Sequence, residues 1–192
     1  MTTKQFLPLP YGQDDFDNLK ADGCYFVDKT SSLKDVIDTD KSYVMLFTRP
    51  RRFGKSLFMT MTESFLKINS DNPGDTTLQQ KSFKGTKILD DREFCANYMG
   101  QHPAICITLK GVHGVDFEDA YYKLAEVVSA KADEYSFLKD SPSLDEKEKA
   151  KFEKLCDEDY LKSFDKKTQS YVTSAIISLA RMLYKHFKKQ VY

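Results

Sequence analysis

Short apolar runs and long stretches of helical period alternate along this chain. The runs 43–47 (Tyr-Val-Met-Leu-Phe) and 104–109 (Ala-Ile-Cys-Ile-Thr-Leu) are apolar at nearly every position. Runs of this kind are typical of strands that are buried on both faces of a parallel sheet. Both are therefore predicted to be core strands, and the shorter run 24–27 predicts a third strand.

The helical pattern is clearest near the C-terminus, where apolar residues recur at three- and four-residue steps from Tyr171 to Phe187. The same reasoning predicts further helices from Phe16 to before Gly23, over 56–68, 90–99 and 117–137, and from Ser143 or Asp145 to Leu155. Strands that alternate with long helices predict an α/β fold, a parallel sheet flanked by helices. Only two confident core strands are visible, so the sheet is expected to be incomplete at the C-terminus.

Composition excludes several classes of protein. Hydrophobic residues make up 41% of the 192 residues, which is enough for a buried core and excludes global disorder. The longest uncharged stretch near the C-terminus is the 13 residues 168–180. A membrane span needs about 20 apolar residues, so no membrane partner is expected. The N-terminus lacks the apolar stretch of a secretory signal, and a cytoplasmic location is predicted.

Cysteines and histidines do not suggest a metal site. The four cysteines and three histidines are scattered without paired spacing. We therefore expect reduced thiols and no zinc site. The residues are Cys24, Cys95, Cys106, Cys156, His102, His113 and His186.

Charge is balanced overall and unbalanced locally. Lys+Arg and Asp+Glu are both 29, so global attraction to nucleic acid is not expected. Segment 41–62 nevertheless contains no acid, and four of the seven residues 49–55 are basic. Segment 133–159, by contrast, holds ten acids against five lysines. A concentrated basic patch in a neutral protein indicates a local anionic ligand.

The basic patch contains the one motif with clear chemistry. It lies between a predicted buried strand and a predicted helix, which is the context of a phosphate-binding loop. The usual pattern is Gly, four residues, then Gly-Lys-Ser/Thr. Gly54-Lys55-Ser56 match this pattern, and Arg49 stands in place of the first glycine. An ordinary basic strand–helix turn is the alternative interpretation.

Each residue of the motif has a physical role in the phosphate-binding interpretation. Gly54 lets the backbone approach a phosphate closely, and the start of the helix favours negative charge. Lys55 is the candidate catalytic residue that bridges the β- and γ-phosphates, and the Ser56 hydroxyl is the candidate Mg²⁺ ligand. The predicted nucleotide-binding set is Arg49, Pro50, Arg51, Arg52, Phe53, Gly54, Lys55, Ser56 and Leu57.

Several short motifs stand in order along the chain: Leu9-Pro10-Tyr11-Gly12, Tyr25-Phe26-Val27-Asp28-Lys29-Thr30, Arg49 to Ser56, Leu57-Phe58-Met59, Phe83-Lys84-Gly85-Thr86 and Pro103 to Leu109. Together they resemble one known family, the bacterial AAA-ATPase-like proteins. Arg49 in place of the first glycine is the family's own pattern. The resemblance implies a P-loop NTPase fold with ATP and Mg²⁺ as cofactors. It gives no mechanism for Asp28-Lys29-Thr30, which is either a structural turn or a contact near the nucleotide.

The resemblance also implies parts that are not seen here. Members typically continue into an acidic Walker B strand and often into a PD-(D/E)xK nuclease-like domain, through which the full-length protein is expected to meet nucleic acid. The chain ends at Tyr192, where the Walker B strand is expected to begin. We therefore expect an N-terminal portion of an AAA-ATPase-like domain, with ATP hydrolysis weak or absent. Its parts are a lead-in over 1–40, the phosphate-loop strand, helix and second core strand over 41–110, and a helical segment over 111–192.

Other functions stay open at this point. The Arg49–Lys55 loop could instead bind nucleic-acid phosphates or an acidic protein surface, without nucleotide turnover, and steep salt dependence would mark the nucleic-acid case. A small-molecule kinase is a weaker third possibility. An incomplete sheet is also expected to leave a sheet edge and apolar helix faces exposed, including the stripe from Tyr171 to Phe187, and so to favour self-association.

Overall fold

The regular structure is helical throughout the residues that the computed structural model describes, which are 7–37 and 44–192. The α-helices are α1 (Phe16–Ala21), α2 (Leu33–Ile37), α3 (Lys55–Leu66), α4 (Thr77–Ser82), α5 (Arg92–Tyr98), α6 (Phe117–Asp133), α7 (Glu146–Cys156), α8 (Glu158–Leu161) and α9 (Lys166–Phe187). Short 3₁₀ helices lie at Thr30–Ser32, Lys87–Asp90 and Ser136–Asp140.

The predicted α/β fold, a P-loop NTPase-like parallel sheet flanked by helices, is wrong for this structure. None of the predicted runs forms a strand within the described ranges, and Tyr43 lies outside them. One isolated parallel bridge there joins Lys67 to His102. Val44 and Leu46 are 83% and 86% exposed, so the run that was expected to be buried on both faces is largely open to solvent.

The physical reason is that an apolar run does not make a strand by itself. A strand is stable only when a neighbour completes its hydrogen-bond ladder and a packed layer covers its side chains. Both must come from distant parts of the chain. The local pattern in 44–47 specifies neither, whereas a helix completes its own backbone hydrogen bonds within the segment.

The described residues form two compact units, one ending at Ala104 and one running from Ile105 to Tyr192. The core of the first unit is aromatic. Phe16 of α1 lies 4.7 Å from Phe83, which lies 5.3 Å from Phe65 of α3, measured between ring centroids. Phe65 in turn stacks on Phe94 of α5 at 5.6 Å. These rings hold α3, the helix that follows the basic loop, against α1 and α5.

Two hydroxyl groups also fix α3 to the segment around α1. The Thr60 hydroxyl accepts a hydrogen bond from the Phe16 backbone N–H at 3.1 Å and donates to the Asp14 carbonyl at 3.0 Å. The Ser64 hydroxyl donates to the Asp17 carboxylate at 2.7 Å. The second half of the helix that carries Lys55 and Ser56 is therefore anchored to this segment.

The Asp28-Lys29-Thr30 motif forms a clamp in the first unit. One carboxylate oxygen of Asp28 accepts hydrogen bonds from the backbone N–H and the hydroxyl of Thr30, at 2.9 and 2.7 Å. The other accepts from the backbone N–H of Lys87 at 2.8 Å, and the Thr30 hydroxyl oxygen accepts from Ile88 N–H at 3.1 Å. Asp28 and the fully buried Thr30 thus tie their own turn to a segment almost sixty residues further on.

The second unit is a helical cluster built around α9. Asp165 caps α9 by accepting hydrogen bonds from the backbone N–H groups of Lys167 and Thr168. The apolar face of α9 is buried in the core that it shares with α6, α7 and α8, through Val172, Ala175, Leu179, Met182 and Leu183. The expectation that the stripe from Tyr171 to Phe187 is exposed is therefore wrong, because helices of the same unit cover it.

Candidate nucleotide-binding loop

The basic loop ends in a left-handed glycine at the start of α3. Gly54 is the N-cap, with φ 77° and ψ 23°, and its carbonyl accepts the first helical hydrogen bond from Phe58 N–H at 2.9 Å. A left-handed residue followed by a helical one turns successive backbone N–H groups towards one side, which makes a concavity that binds anions. The positive end of the helix adds to this effect.

A second residue of the loop has an unusual backbone conformation. Arg52 has φ 67°, which for a residue with a side chain costs about 1–2 kcal/mol. Conformations of this kind persist where the surrounding structure imposes them, and they concentrate at ligand-binding sites. Gly54 itself has no atom within 4 Å of the place where a Cβ would stand, so glycine is favoured there by φ and not by crowding.

Lys55 is held over the loop that precedes it. Its ammonium group donates to the backbone carbonyls of Arg49 and Pro50, at 2.5 and 2.9 Å. A lysine ammonium has three protons, so one remains for another acceptor. The carbonyls of the loop therefore hold a cation that is carried by the first residue of α3.

The predicted nucleotide-binding residues form one exposed surface. Every residue from Arg49 to Ser56 is exposed, and Leu57 is half-buried in the first turn of α3. In the described part of the chain, the guanidinium groups of Arg49, Arg51 and Arg52 have no hydrogen-bond or ion-pair partner. The residues that the sequence assigned to the site are contiguous and almost all exposed, and their role in nucleotide binding stays a prediction.

This surface offers more binding groups to a phosphate than to a metal ion. For a phosphate it offers the N–H groups of a helix start, one ammonium and three guanidinium groups. For Mg²⁺ it offers the exposed hydroxyl of Ser56. Among the described residues no group of three His, Cys, Asp or Glu side chains could hold a metal ion. A nucleotide-bound Mg²⁺ would therefore draw its remaining ligands from phosphate and water.

Sequence reasoning missed two features of this site. It included Arg49 and Pro50 in the nucleotide-binding set but did not predict that their backbone carbonyls hold Lys55. It also missed the positive φ of Arg52. Neither feature has a signal in residue type, since every residue has a carbonyl and arginine is not favoured in the left-handed region.

Other titratable groups do not form a second reactive centre in the described ranges. Burial raises the pKa of the Cys156 thiol to about 12 and also raises the pKa of Cys95, so neither is a thiolate at neutral pH. The hydroxyl of the buried Ser141 lies 2.7 Å from Nδ1 of His186, whose ring packs against Phe137 and Phe187. Burial lowers the pKa of His186. This Ser–His pair lies beside Phe137 and Phe187, two partly buried rings that pack against the core of the second unit.

The loop and the start of α3 combine positive charge with a left-handed glycine at a helix N-terminus, and comparison with known proteins gives the family. The chain matches the family described as predicted AAA-ATPase over residues 10–192, and it therefore belongs to this AAA-ATPase-like family. The resemblance seen in the sequence motifs is confirmed. Membership is consistent with nucleotide binding in general, while the nuclease-like domain stays a prediction.

One curated relative is an uncharacterized protein in the vnfD 5′ region of Azotobacter chroococcum mcd 1. It is 32% identical over 123 residues, which cover 63% of this chain and 20% of the relative. The match thus spans about a fifth of the relative's length. No solved structure matches the chain. In the described ranges, no helix is long and apolar enough to cross a membrane.

Proposed function

We propose that this chain binds ATP through the loop from Arg49 to Leu57. One observation carries the proposal: the carbonyls of Arg49 and Pro50 hold the Lys55 ammonium, in the loop that enters α3 through the left-handed Gly54. Membership of an AAA-ATPase-like family supports a nucleotide as the anion.

Each residue has a defined task in this proposal. The backbone N–H groups after Gly54 bind phosphate oxygens, and the free proton of the Lys55 ammonium makes a charge-assisted hydrogen bond to the terminal phosphates. The Ser56 hydroxyl ligates the Mg²⁺ that accompanies the nucleotide. When bound, that ion neutralises part of the phosphate charge. Arg49, Arg51 and Arg52 add further positive charge.

The proposal concerns binding and leaves hydrolysis as a separate prediction. ATP turnover needs a group that orients or activates water. Segment 41–62, which contains the loop, has no carboxylate, so such a group would have to come from elsewhere in the protein. The sequence assigns none, and we therefore expect Lys55-dependent ATPase activity of this chain to be weak or absent.

Calorimetric titration of ATP with Mg²⁺ tests the proposal. Replacement of Lys55 by alanine removes one charge-assisted hydrogen bond and should weaken binding by about 10- to 100-fold. Gly54→Ala should also weaken binding, because alanine disfavours the left-handed conformation of the concavity. Binding that is absent in the wild type, or unchanged in Lys55→Ala, would overturn the proposal.

The chain offers a matched control for Gly54. Gly85 has almost the same φ, 76° against 77°, and likewise has no atom within 4 Å of the place where a Cβ would stand. Gly85→Ala should therefore cost about as much stability as Gly54→Ala, roughly 1 kcal/mol. Gly85 is not among the proposed binding residues, so Gly85→Ala should keep the wild-type affinity for ATP.

A second candidate function uses the same surface. Three exposed guanidinium groups without partners in the described ranges also suit the phosphates of a nucleic-acid strand. If nucleic acid is the ligand and ATP is not, binding of a single-stranded oligonucleotide would weaken steeply with salt, and ATP titrated alone would show no Lys55-dependent binding. Displacement by ATP would favour the nucleotide.

A further inference from the structure

The basic loop concentrates cations that have no ion-pair partner within the described ranges. Three of the five arginines in the sequence lie in this loop. Their side chains have no partner in the described ranges. In the second unit, by contrast, lysines of the helices make ion pairs with glutamates. These are Lys123, Lys131, Lys149, Lys162 and Lys185.

Four like charges so close in sequence repel one another, and no acid nearby in the sequence relieves the repulsion. Segment 41–62 has no Asp or Glu at all. A multiply charged anion would remove this repulsion on binding, whereas a singly charged anion would do so only in part. A terminal phosphate alone carries roughly −1.5 to −2 near neutral pH, so a chain of phosphates approaches the charge of Arg49, Arg51, Arg52 and Lys55 combined.

The same loop is poorly equipped to hold a cation. Ser56 contributes one hydroxyl, and the described residues provide no cluster of carboxylates, imidazoles or thiols for a metal ion. Guanidinium groups, in contrast, bind phosphate oxygens through two parallel hydrogen bonds and remain charged at any physiological pH. The chain thus supplies in arginine the positive charge that a metal ion would otherwise supply.

We infer that the three arginines, more than Mg²⁺, neutralise the bound phosphates, so that this loop selects ligands by the length of their polyphosphate chain and binds them with or without Mg²⁺. This inference rests on the proposed nucleotide-binding function, for which family membership is the independent support. The ligand class is a nucleoside triphosphate, bound more tightly than the diphosphate and the diphosphate more tightly than the monophosphate.

The test is a set of calorimetric titrations at one ionic strength. ATP, ADP, AMP and inorganic tripolyphosphate are each titrated into the wild-type chain, once with Mg²⁺ and once with EDTA. We expect the affinity for ATP to change by less than about tenfold when Mg²⁺ is removed. We expect it to fall by about tenfold for each phosphate lost, and tripolyphosphate to bind within about tenfold of ATP.

Substitutions measure the contribution of the loop arginines to ATP binding separately from the effect of net charge. Arg51→Gln with Arg52→Gln should weaken ATP binding in EDTA by at least about a hundredfold, and Mg²⁺ should restore part of that loss. The control is Arg92→Gln with Arg181→Gln, which removes the same net charge at two exposed positions outside the loop. This control should bind as the wild type does. Circular dichroism shows whether each variant is folded. If a variant does not fold, the comparison of wild-type binding with and without Mg²⁺ still tests the inference.

The outcomes distinguish this inference from the proposed function. If ATP binds in a Lys55-dependent manner with Mg²⁺, and EDTA weakens it by more than about a hundredfold, the proposed function stands and the arginine inference is wrong. Equal affinity for ATP and AMP would also overturn the inference. If no phosphate compound binds under either condition, the proposed function fails, and the inference fails with it.

Discussion

Asp28 shows how a single side chain can join two distant segments. Its carboxylate accepts hydrogen bonds from Thr30 and from the backbone N–H of Lys87. Asp75 makes the same local pair of hydrogen bonds, to the N–H and hydroxyl of Thr77, but has no long-range one within the described part of the chain. The two aspartates therefore separate the contribution of a local turn from that of a clamp.

Asp28→Asn should destabilise the chain more than Asp75→Asn. The asparagine amide that replaces one carboxylate oxygen can face the Lys87 N–H only as a second donor, which leaves a hydrogen bond unmade. Such a loss costs about 1–3 kcal/mol. The measurement is urea-induced unfolding of both variants beside the wild type. Equal losses in the two variants would show that the contact with Lys87 adds nothing.

The same contact should give a pH dependence. Burial tends to raise the pKa of Asp28, but the hydrogen bonds from Thr30 and from Lys87 N–H outweigh it and set the pKa below its ordinary value. A lowered pKa in the folded state stabilises the fold above the unfolded pKa, about 3.9, and this stabilisation is lost as the pH falls through the folded value. The stability difference between wild type and Asp28→Asn, measured by urea unfolding at a series of pH values, should therefore be constant near neutral pH and shrink below about pH 4.

At the scale of elements, helices could be predicted from the sequence and strands could not. The helix predicted over 56–68 is confirmed as α3, and the pattern from Tyr171 to Phe187 lies within α9. The charged helix expected from Ser143 or Asp145 begins with Asp145 as its cap. In each case the start of the helix and the apolar period lie within the segment itself, so local sequence contains the necessary information.

The predicted strands failed because their stability depends on partners elsewhere. Leu109, which was expected to be buried in a sheet, is 62% exposed. The basic loop differs from the strands, because its local sequence was sufficient to predict part of its backbone structure. The Gly-Lys-Ser signature predicted a turn into a helix, and Gly54 and α3 confirm it. The contacts of Lys55 could not be predicted, because every residue has a backbone carbonyl and the sequence does not indicate which carbonyls accept a hydrogen bond.

The burial of one face of α9 leads to a direct prediction. Leu179 is fully buried, whereas Ile177 on the same helix is 58% exposed. Leu179→Ala should cost about 2–5 kcal/mol, because it removes buried methyl groups and leaves a cavity. Ile177→Ala should change stability by about 0.5 kcal/mol or less. The midpoints of denaturant unfolding measure both, and similar losses would contradict the burial of this face in the core of the second unit.

At the scale of the whole molecule, exposed apolar surface and zero net charge act together. Exposed apolar side chains occur at several places in the described ranges, and the irregular segment 44–47 is a continuous run of them, with Val44, Leu46 and Phe47 among its exposed residues. Lys+Arg and Asp+Glu are equal, so long-range repulsion between copies is weak near pH 7. We therefore expect self-association that grows with protein concentration.

Leu46→Lys tests this expectation, because it places a charge in the exposed run and adds one unit to the net charge. The control is Leu78→Lys, the same substitution at a leucine of α4 that is 69% exposed and lies outside the run. Light scattering over a range of concentrations should show a mass that rises for the wild type and for Leu78→Lys but stays near the monomer for Leu46→Lys. If both lysine variants lower the mass equally, net charge and not segment 44–47 controls association. A wild-type mass that stays monomeric at every concentration would show that this segment does not drive contact between copies.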